Sequence, residues 1–412
     1  MKDLLEISCG LDIHKEKIVA CILTGPLGKP THSEIREFTT LIPDMLALRD
    51  WIISENCHHI AMESTGIYWI PIYEILEDAF SGDITLLVVN ARHMKNVPGK
   101  KTDIRDSEWI STLLRAGLLN ASFIPEKRIR EFRDLNRYRK SIIRDITSQK
   151  NRVEKFLQSS GFRPAFFISD IFGASGRNII LHLMEHGQID KMSLDSYLKT
   201  KTRKRIDEIL MSVNGTLSEH QKSFLKILMC HYDSMKEHLI EIETHLQEDM
   251  LPFALQIEQL NTIYGISTTA SCAIIAEIGT DMKPFKTAEH ICSWAGLCPG
   301  NNESAGKRKS TSITKGNPYI KSMLCEIAWV IAGKRNTYLS AWYWRIKQKK
   351  GARKAIVALA RKLLVIIYTM LKQGTNFDEN CFEVRRKNCE QKQLSRYIRE
   401  LEKHGYTVEA QV

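Results

Sequence analysis

Four acidic residues have the types and spacing of a divalent-cation site. Asp12 closes an apolar run in Gly10-Leu-Asp-Ile-His-Lys15, and Glu63 closes another in Ala61-Met-Glu-Ser-Thr-Gly66. Asp103 and Asp106 lie three apart in Lys101-Thr-Asp-Ile-Arg-Asp106. On a helix that spacing puts both on one face, one turn apart. Carboxylates are the hard oxygen donors that Mg²⁺ prefers. A pair of such ions stabilises the attacking and leaving oxygens of a phosphoryl transfer. Each carboxylate alone reads equally as a turn residue or as a charge offsetting a helix dipole. Their weight lies in the combination, which needs a sheet that brings two strand ends and one helix together.

The N-terminal patterning predicts such a sheet. Residues 5–11 and 17–24 read as two strands with a turn near His14, and 34–39 as a third. A helical spacing over 42–55 follows, then a strand at 59–62 leading into Glu63, a helix over 67–79, a strand at 84–89 and a helix from near Lys101 to Leu118. The order β-β-β-α-β-α-β-α predicts a mixed sheet flanked by helices.

From 126 to 159 the pattern is helical and basic, with Ile129, Phe132, Leu135, Ile142, Ile146, Val153 and Leu157 in an apolar stripe. Residues 218–260 repeat it with Phe224, Leu228, Met235, Leu239, Ile242 and Leu246. Two long amphipathic helices follow, as a helical hairpin or an intermolecular coiled coil. The segment 162–215 has mixed patterning that assigns no fold. Residues 260–279 read as a helix-hairpin-helix element turning at Gly265-Ile266-Ser267, with Ser where a second Gly is usual. A plain turn in a small α domain fits them as well.

With 412 residues the chain is long enough for two or three domains. Hydrophobic residues at 43% and charged residues at 26% exclude disorder over most of it. The net charge of +11 points to a polyanionic partner. The excess is concentrated: 327–377 holds eleven Lys and Arg and no Asp or Glu. That stretch interleaves Tyr338, Trp342, Tyr343 and Trp344, a composition suited equally to unpaired nucleic acid and to a buried helix face. No membrane span is expected, because Arg361 and Lys362 interrupt the most apolar late stretch. No signal peptide is expected, since Lys2, Asp3 and Glu6 precede only a short apolar run. The ten cysteines form no CxxC pair, and His290, Cys292 and Cys298 make only a weak metal pattern. Reduced, cytosolic thiols are the expectation.

These motifs, taken in order, resemble one family. Gly10–Lys15, Met62-Glu-Ser-Thr-Gly-Ile-Tyr-Trp69, Val88-Val-Asn-Ala-Arg92 and Lys101–Ser107 resemble the RNase H-like, RuvC-type domain of the DEDD insertion-sequence transposases, the IS-one-ten and IS-eleven-eleven group. Leu260–Gly279, Phe285–Pro299 with Trp294-Ala-Gly-Leu-Cys-Pro299, Glu303–Lys309 and Lys315-Gly-Asn317 resemble that family's second domain. The resemblance implies an α/β plus α protein. Residues 1–125 would be a RuvC-like catalytic domain with a mixed sheet. Residues 126–255 would be a helical or coiled-coil oligomerisation region. Residues 256–375 would be a small, mainly α C-terminal transposase domain, and 376–412 a basic helical tail.

It further implies that Asp12, Glu63, Asp103 and Asp106 hold Mg²⁺, two ions per site, and that Ser304 is a nucleophile. Ser310 and Ser312 are its neighbouring alternatives, since the family's usual Ser-Gly is here Ser304-Ala305-Gly306. The position is expected on an exposed loop between Pro299-Gly300 and Gly306. The implied activity is RNA-guided DNA transposition or recombination, with Mg²⁺-dependent strand cleavage and exchange through a covalent phosphoserine. The implied partners are a guide (bridge) RNA, donor and target DNA, and further copies of the chain in a dimer to tetramer. Lys101, Arg105, Lys307, Arg308, Lys309 and Lys315 would contact nucleic acid. Two other functions fit the residues: a RuvC-like metal nuclease or junction resolvase without serine chemistry, and a non-catalytic nucleic-acid-binding protein derived from a transposase.

Overall fold

The computed structural model describes residues 3–64, 66–80, 82, 84–90, 103–300, 302–304, 307–310, 312–335, 337–379, 391 and 394–405, with backbone alone at 103–105, 302–304 and 307–310. The chain divides into two compact units, Met1–Ile124 and Pro125–Val412.

The first unit is a five-stranded sheet in the order β3-β2-β1-β4-β5. Its strands are β1 (Ile7–Ile13), β2 (Lys17–Thr24), β3 (His32–Thr39), β4 (His59–Glu63) and β5 (Thr85–Val89). β1 runs antiparallel to β2 and parallel to β4, and β4 runs parallel to β5. Three helices join in: α1 (Ile42–Ser54), α2 (Trp69–Phe80) and α3 (Asp103–Arg115). The order is the β-β-β-α-β-α-β-α of the sequence pattern. β1 and β2 are buried almost throughout because helices cover both faces, hence their near-continuous apolar runs. β3 lies at the sheet edge and carries Glu34, Arg36 and Glu37.

Alternation along β1 separates two layers. Cys9, Leu11 and Ile13 pack with Leu48 and Ile52 of α1 and Ile72 and Leu76 of α2. Ser8, Gly10 and Asp12 therefore face the other side, where Ala61 and Val89 pack on Ile110 and Leu114 of α3. Buried Arg115 ties the end of α3 to the strands, donating to the carbonyls of Glu6 (2.7 Å), Gly25 (2.8 Å) and Pro26 (3.1 Å).

The second unit is almost wholly helical. Its two long helices, α4 (Lys127–Ser159) and α9 (Glu219–Met250), form an antiparallel hairpin within one chain. The cross-pairs Phe156–Phe224, Gln149–Leu228 and Arg139–Glu243 fix the direction. Ile142, Ile146, Val153 and Leu157 are buried in this hairpin, so the stripe on α4 is consumed internally. On α9 the buried set begins Leu225, Met229, Tyr232 rather than Phe224 and Leu228, one position later than the sequence spacing suggests. A capping box of Ser218 and Gln221 starts the helix there, leaving Phe224 at the rim against Phe156. The unassigned segment between them folds as a 3₁₀ turn at Pro164–Phe166 and four short α-helices, α5 (Ala174–His186), α6 (Lys191–Tyr197), α7 (Thr200–Arg203) and α8 (Ile206–Ser212). A bidentate Arg177–Asp233 pair at 2.8 Å joins α5 to α9.

The rest comprises α10 (Ala254–Asn261), α11 (Thr268–Ile278), α12 (Ala288–Trp294), the ribbon β6 (Asn302–Ser304) and β7 (Lys307–Ser310), α13 (Pro318–Gly333), α14 (Tyr338–Lys350) and α15 (Ala352–Gln373). Residues 394–403 are helical. Residues 125–412 form one compact unit, in which α11 and α13 pack on α4 through charges described below. α10 and α11 form a tight helical hairpin. Gly265 turns it at φ +89°, and a Cβ there would stand 3.1 Å from Ile331. Ser267, the position where Gly is usual, is the N-cap of α11 and accepts from the Ala270 amide. Among the described residues no helix is long and apolar enough to cross a membrane.

Candidate active site

The carboxylates are positioned by register. β1 pairs with β4 through Cys9–Ile60, Gly10–Ala61 and Leu11–Met62. The next step sets Asp12 beside Glu63, on the face shared by Gly10 and Ala61. Asp12 lies inside β1, not beyond it as the sequence reading has it, and is only 4% exposed. Glu63 is the last residue of β4 and half-buried.

α3 is brought to the same face. Ser8 and Ser111 exchange hydrogen bonds, hydroxyl to hydroxyl at 2.8 Å and Ser111 hydroxyl to Ser8 carbonyl at 2.9 Å. Two residues along the strand, Gly10 touches α3 backbone: a Cβ there would be 2.5 Å from the Ser111 amide and closer still to the Ser107 carbonyl. Two strand residues advance about 6.6 Å and four helix residues about 6 Å. From Ser8 to Gly10 the contacts therefore move toward the N-terminal part of α3, where Asp106 immediately precedes Ser107. Asp106 is half-buried; the side chains of Asp103 and Arg105, and all of Lys101, lie outside the described residues.

One neighbour escaped the sequence analysis. His14 Nε2 stands 3.2 Å from Asp12 Oδ2, with the ring 46% exposed. Its position two residues after Asp12, where a strand repeats its face, was the available signal. Among the described residues no three acidic, histidine or cysteine side chains stand close enough to hold a metal ion. The donors that the register gathers are all carboxylates, a set whose chemistry fits a hard divalent cation.

The serine candidate belongs to the second unit. Ser304 is not on a loop: it ends β6 and pairs with Lys307 of β7, with Asn302 opposite Ser310. The ribbon extends downward through Gly300 N to Ser312 O (2.9 Å) and Thr314 N to Cys298 O (3.0 Å). The periodic pairing prevails over the local Gly and Pro punctuation because both flanks find ladder partners. Ser304, Lys307, Arg308 and Lys309 have side chains outside the described residues, while Lys315 is exposed.

The base of the ribbon is clamped. Gly316 lies against the Trp294–Gly296 backbone so closely that no side chain fits there. Asn317 caps α13 by accepting from the Tyr319 and Ile320 amides, and donates to Glu277 Oε2 at 2.6 Å. Glu277 is 3% exposed and receives a bidentate Arg137 at 2.8 Å. Arg133 stands 3.8 Å from the same carboxylate and donates to the carbonyls of Ala276 and Glu277. Burial pulls the Arg133 guanidinium down to about 10. For Arg137 burial pulls downward too, but hydrogen bonds and charge from Glu277 prevail and raise it. This hub of α4, α11 and α13 was not singled out from sequence; its signal was a lone Glu in the otherwise apolar run Cys272–Ile278.

Comparison with known proteins agrees with both halves of the chain. A family model for DEDD transposases of the IS110 type, described as "Transposase", matches residues 9–161. A second, described as "Transposase IS116/IS110/IS902 family", matches residues 257–345. Together they span more than half of the chain. The "Pilin gene-inverting protein" of Moraxella bovis is 32% identical over 127 residues, 30% of this chain and 39% of that protein. Its namesake in Moraxella lacunata matches to the same extent, 32% over 127 residues. A relative from Sinorhizobium fredii with a provisional transposase name is 23% identical over 280 residues, 66% of this chain and 58% of its own length. In each case the match covers less than two thirds of the relative.

Proposed function

The chain belongs to the IS110 family of transposases, and from that premise we propose that it is a DNA recombinase that cuts and rejoins strands through a phosphoserine, guided by an RNA. The observation that supports the reading is the parallel register of β1 and β4, which runs toward Asp12 and Glu63 on the sheet face covered by α3, the helix that begins with Asp103 and carries Asp106. Those four residues would hold Mg²⁺, two ions per site. When bound, the cation supplies charge stabilisation at the scissile phosphate.

The protein groups have distinct roles in this reading. Asp12 is the buried, preorganised donor, and His14 holds one of its oxygens. Ser304 forms the bond to phosphorus as the bond to the departing deoxyribose oxygen breaks. Its proton passes to solvent, the departing deoxyribose oxygen takes one from solvent, and reversal with a new strand rejoins the DNA. Ser304 ends a β-ribbon whose base is pinned, which reduces the entropic cost of attack. Lys101, Arg105, Lys307, Arg308, Lys309 and Lys315 contact phosphates of the donor and target DNA or of the guide RNA. The protein acts as a homo-oligomer, a dimer to tetramer.

The test is covalent trapping. The full-length protein, expressed with its native flanking DNA so that any guide RNA is made, is incubated with Mg²⁺ and donor and target DNA. Under denaturing conditions a protein–DNA adduct is expected, lost in Ser304→Ala and retained in Ser310→Ala and Ser312→Ala. Cleavage without any adduct in the wild type would overturn the serine step and leave a metal nuclease. Sequencing of co-purified RNA tests guidance: absence of a discrete RNA overturns that part.

A further inference from the structure

One face of α13 is exposed and aromatic, and nothing in the chemistry above uses it. Trp329 is 54% exposed, Val330 52% and Tyr264 47%. Gly265, next to Tyr264, abuts Val330 and Ile331, so the α10–α11 turn borders one side of this face. On the other side Trp329 meets Tyr343 edge-on at 6.4 Å, and Trp344 donates from Nε1 to the Ala332 carbonyl at 3.2 Å. Between them a Cβ on Gly333 would meet nothing within 4 Å, so the backbone is open there.

Cations are fixed among these rings. Lys334 Nζ lies 3.6 Å from the Tyr264 ring centre. The Arg335 guanidinium lies 4.4 Å from the Trp344 ring, and Lys347 Nζ 4.0 Å from it. Such contacts hold long side chains in place at modest cost. The single acidic residue of α13 is Glu326, one turn earlier, with Lys140 at 3.9 Å.

We propose that this face is a stacking platform for unpaired nucleotides of a nucleic-acid strand, with Trp329 and Tyr264 taking base faces and Lys334, Arg335 and Lys347 taking phosphates. Each base has a π-face, so an open ring beside fixed cations binds a single strand with little sequence preference. A duplex presents no free base faces to such a surface. A protein partner fits less well, since lysine is depleted from protein interfaces while here it brackets the rings. The proposal rests on the reading of the chain as a nucleic-acid enzyme only for its choice of polyanion.

Binding of fluorescent 12-nucleotide strands to the full-length protein tests it. The probes are an RNA, the DNA of the same sequence, an abasic strand of equal charge, and the matching duplex. Trp329→Leu and Tyr264→Leu are expected to weaken single-strand binding roughly tenfold each. Duplex binding should change less than about twofold, and Trp329→Phe should keep most of the affinity. Lys334→Gln with Arg335→Gln should flatten the salt dependence. The abasic strand should bind far more weakly than either natural strand, and the tighter of RNA and DNA identifies the polymer. Equal binding of abasic and natural strands overturns the proposal, as do equal losses for single strand and duplex in Trp329→Leu. If Trp329→Leu loses thermal stability, the abasic comparison on wild-type protein decides alone. Ser304→Ala and Asp12→Asn are expected to abolish the adduct with single-strand binding intact, so failure of the catalytic reading and failure of the platform are seen separately.

Discussion

Each unit buries a carboxylate, and the two are treated oppositely. Asp12, 4% exposed, lies within β1, and a half-exposed histidine stands 3.2 Å from it. Glu277, 3% exposed, is held by Arg137, Asn317 and the nearby Arg133, all on its own unit. A buried anion must be compensated. Glu277 is compensated by its own fold and so serves architecture. Asp12 stands beside His14, and in the proposed reading its compensation comes from a bound cation.

The sharpest way to break this contrast is to neutralise each carboxylate. Asp12→Asn should lower strand cleavage by roughly 10³-fold, the equivalent of the several kcal/mol a metal supplies to the transition state. Its thermal midpoint should be retained or raised. Activity within tenfold of wild type would place Asp12 among structural residues. Glu277→Ala should do the reverse, costing about 1–3 kcal/mol by leaving the half-buried Arg137 and Arg133 without their carboxylate. Chemical denaturation followed by the helical signal measures it, and an unchanged midpoint would remove the hub.

Two smaller changes sharpen how the elements meet. Gly10→Ala forces α3 away from β1 and should cost about 1–3 kcal/mol as overpacking. Cleavage should fall further than stability alone explains, because the turn with Asp103 and Asp106 moves with the helix; a melting curve alongside the adduct assay separates the two. In the second unit, Ser267→Ala should cost about 1 kcal/mol and Ser267→Gly only a few tenths, as for any N-cap. A large loss with Gly would mean that the serine does more than cap α11.

The order of elements in the first unit was legible because its periodicities are strong and local. Strand β1 shows what was not: its bounds shift by two residues, and the shift moves Asp12 from a turn into the sheet. The long helices were legible as amphipathic, but the choice between a hairpin within the chain and a coil between chains depends on contacts over seventy residues apart, such as Gln149 with Leu228. The aromatic residues of the basic stretch divide in the same way. Tyr343 is buried, whereas Trp344 is bracketed by Arg335 and Lys347, a distinction that spacing alone does not carry. The Ser304 position was read as a loop because Gly and Pro surround it, and pairing across the ribbon is invisible to a single segment.

By itself the sequence determined the residue types that can do chemistry, the mixed-sheet order that must hold them and the basic charge, +11, that points to a polyanion. These follow from local periodicity, side-chain chemistry and charge, which need no partner to be read. The tertiary structure decided which carboxylates share a face, which buried charge is architectural and where the serine ribbon is clamped. Those depend on strand register, on the absence of a Cβ at Gly10 and on ion pairs between helices far apart in the chain. Such facts exist only once distant segments are brought to van der Waals contact.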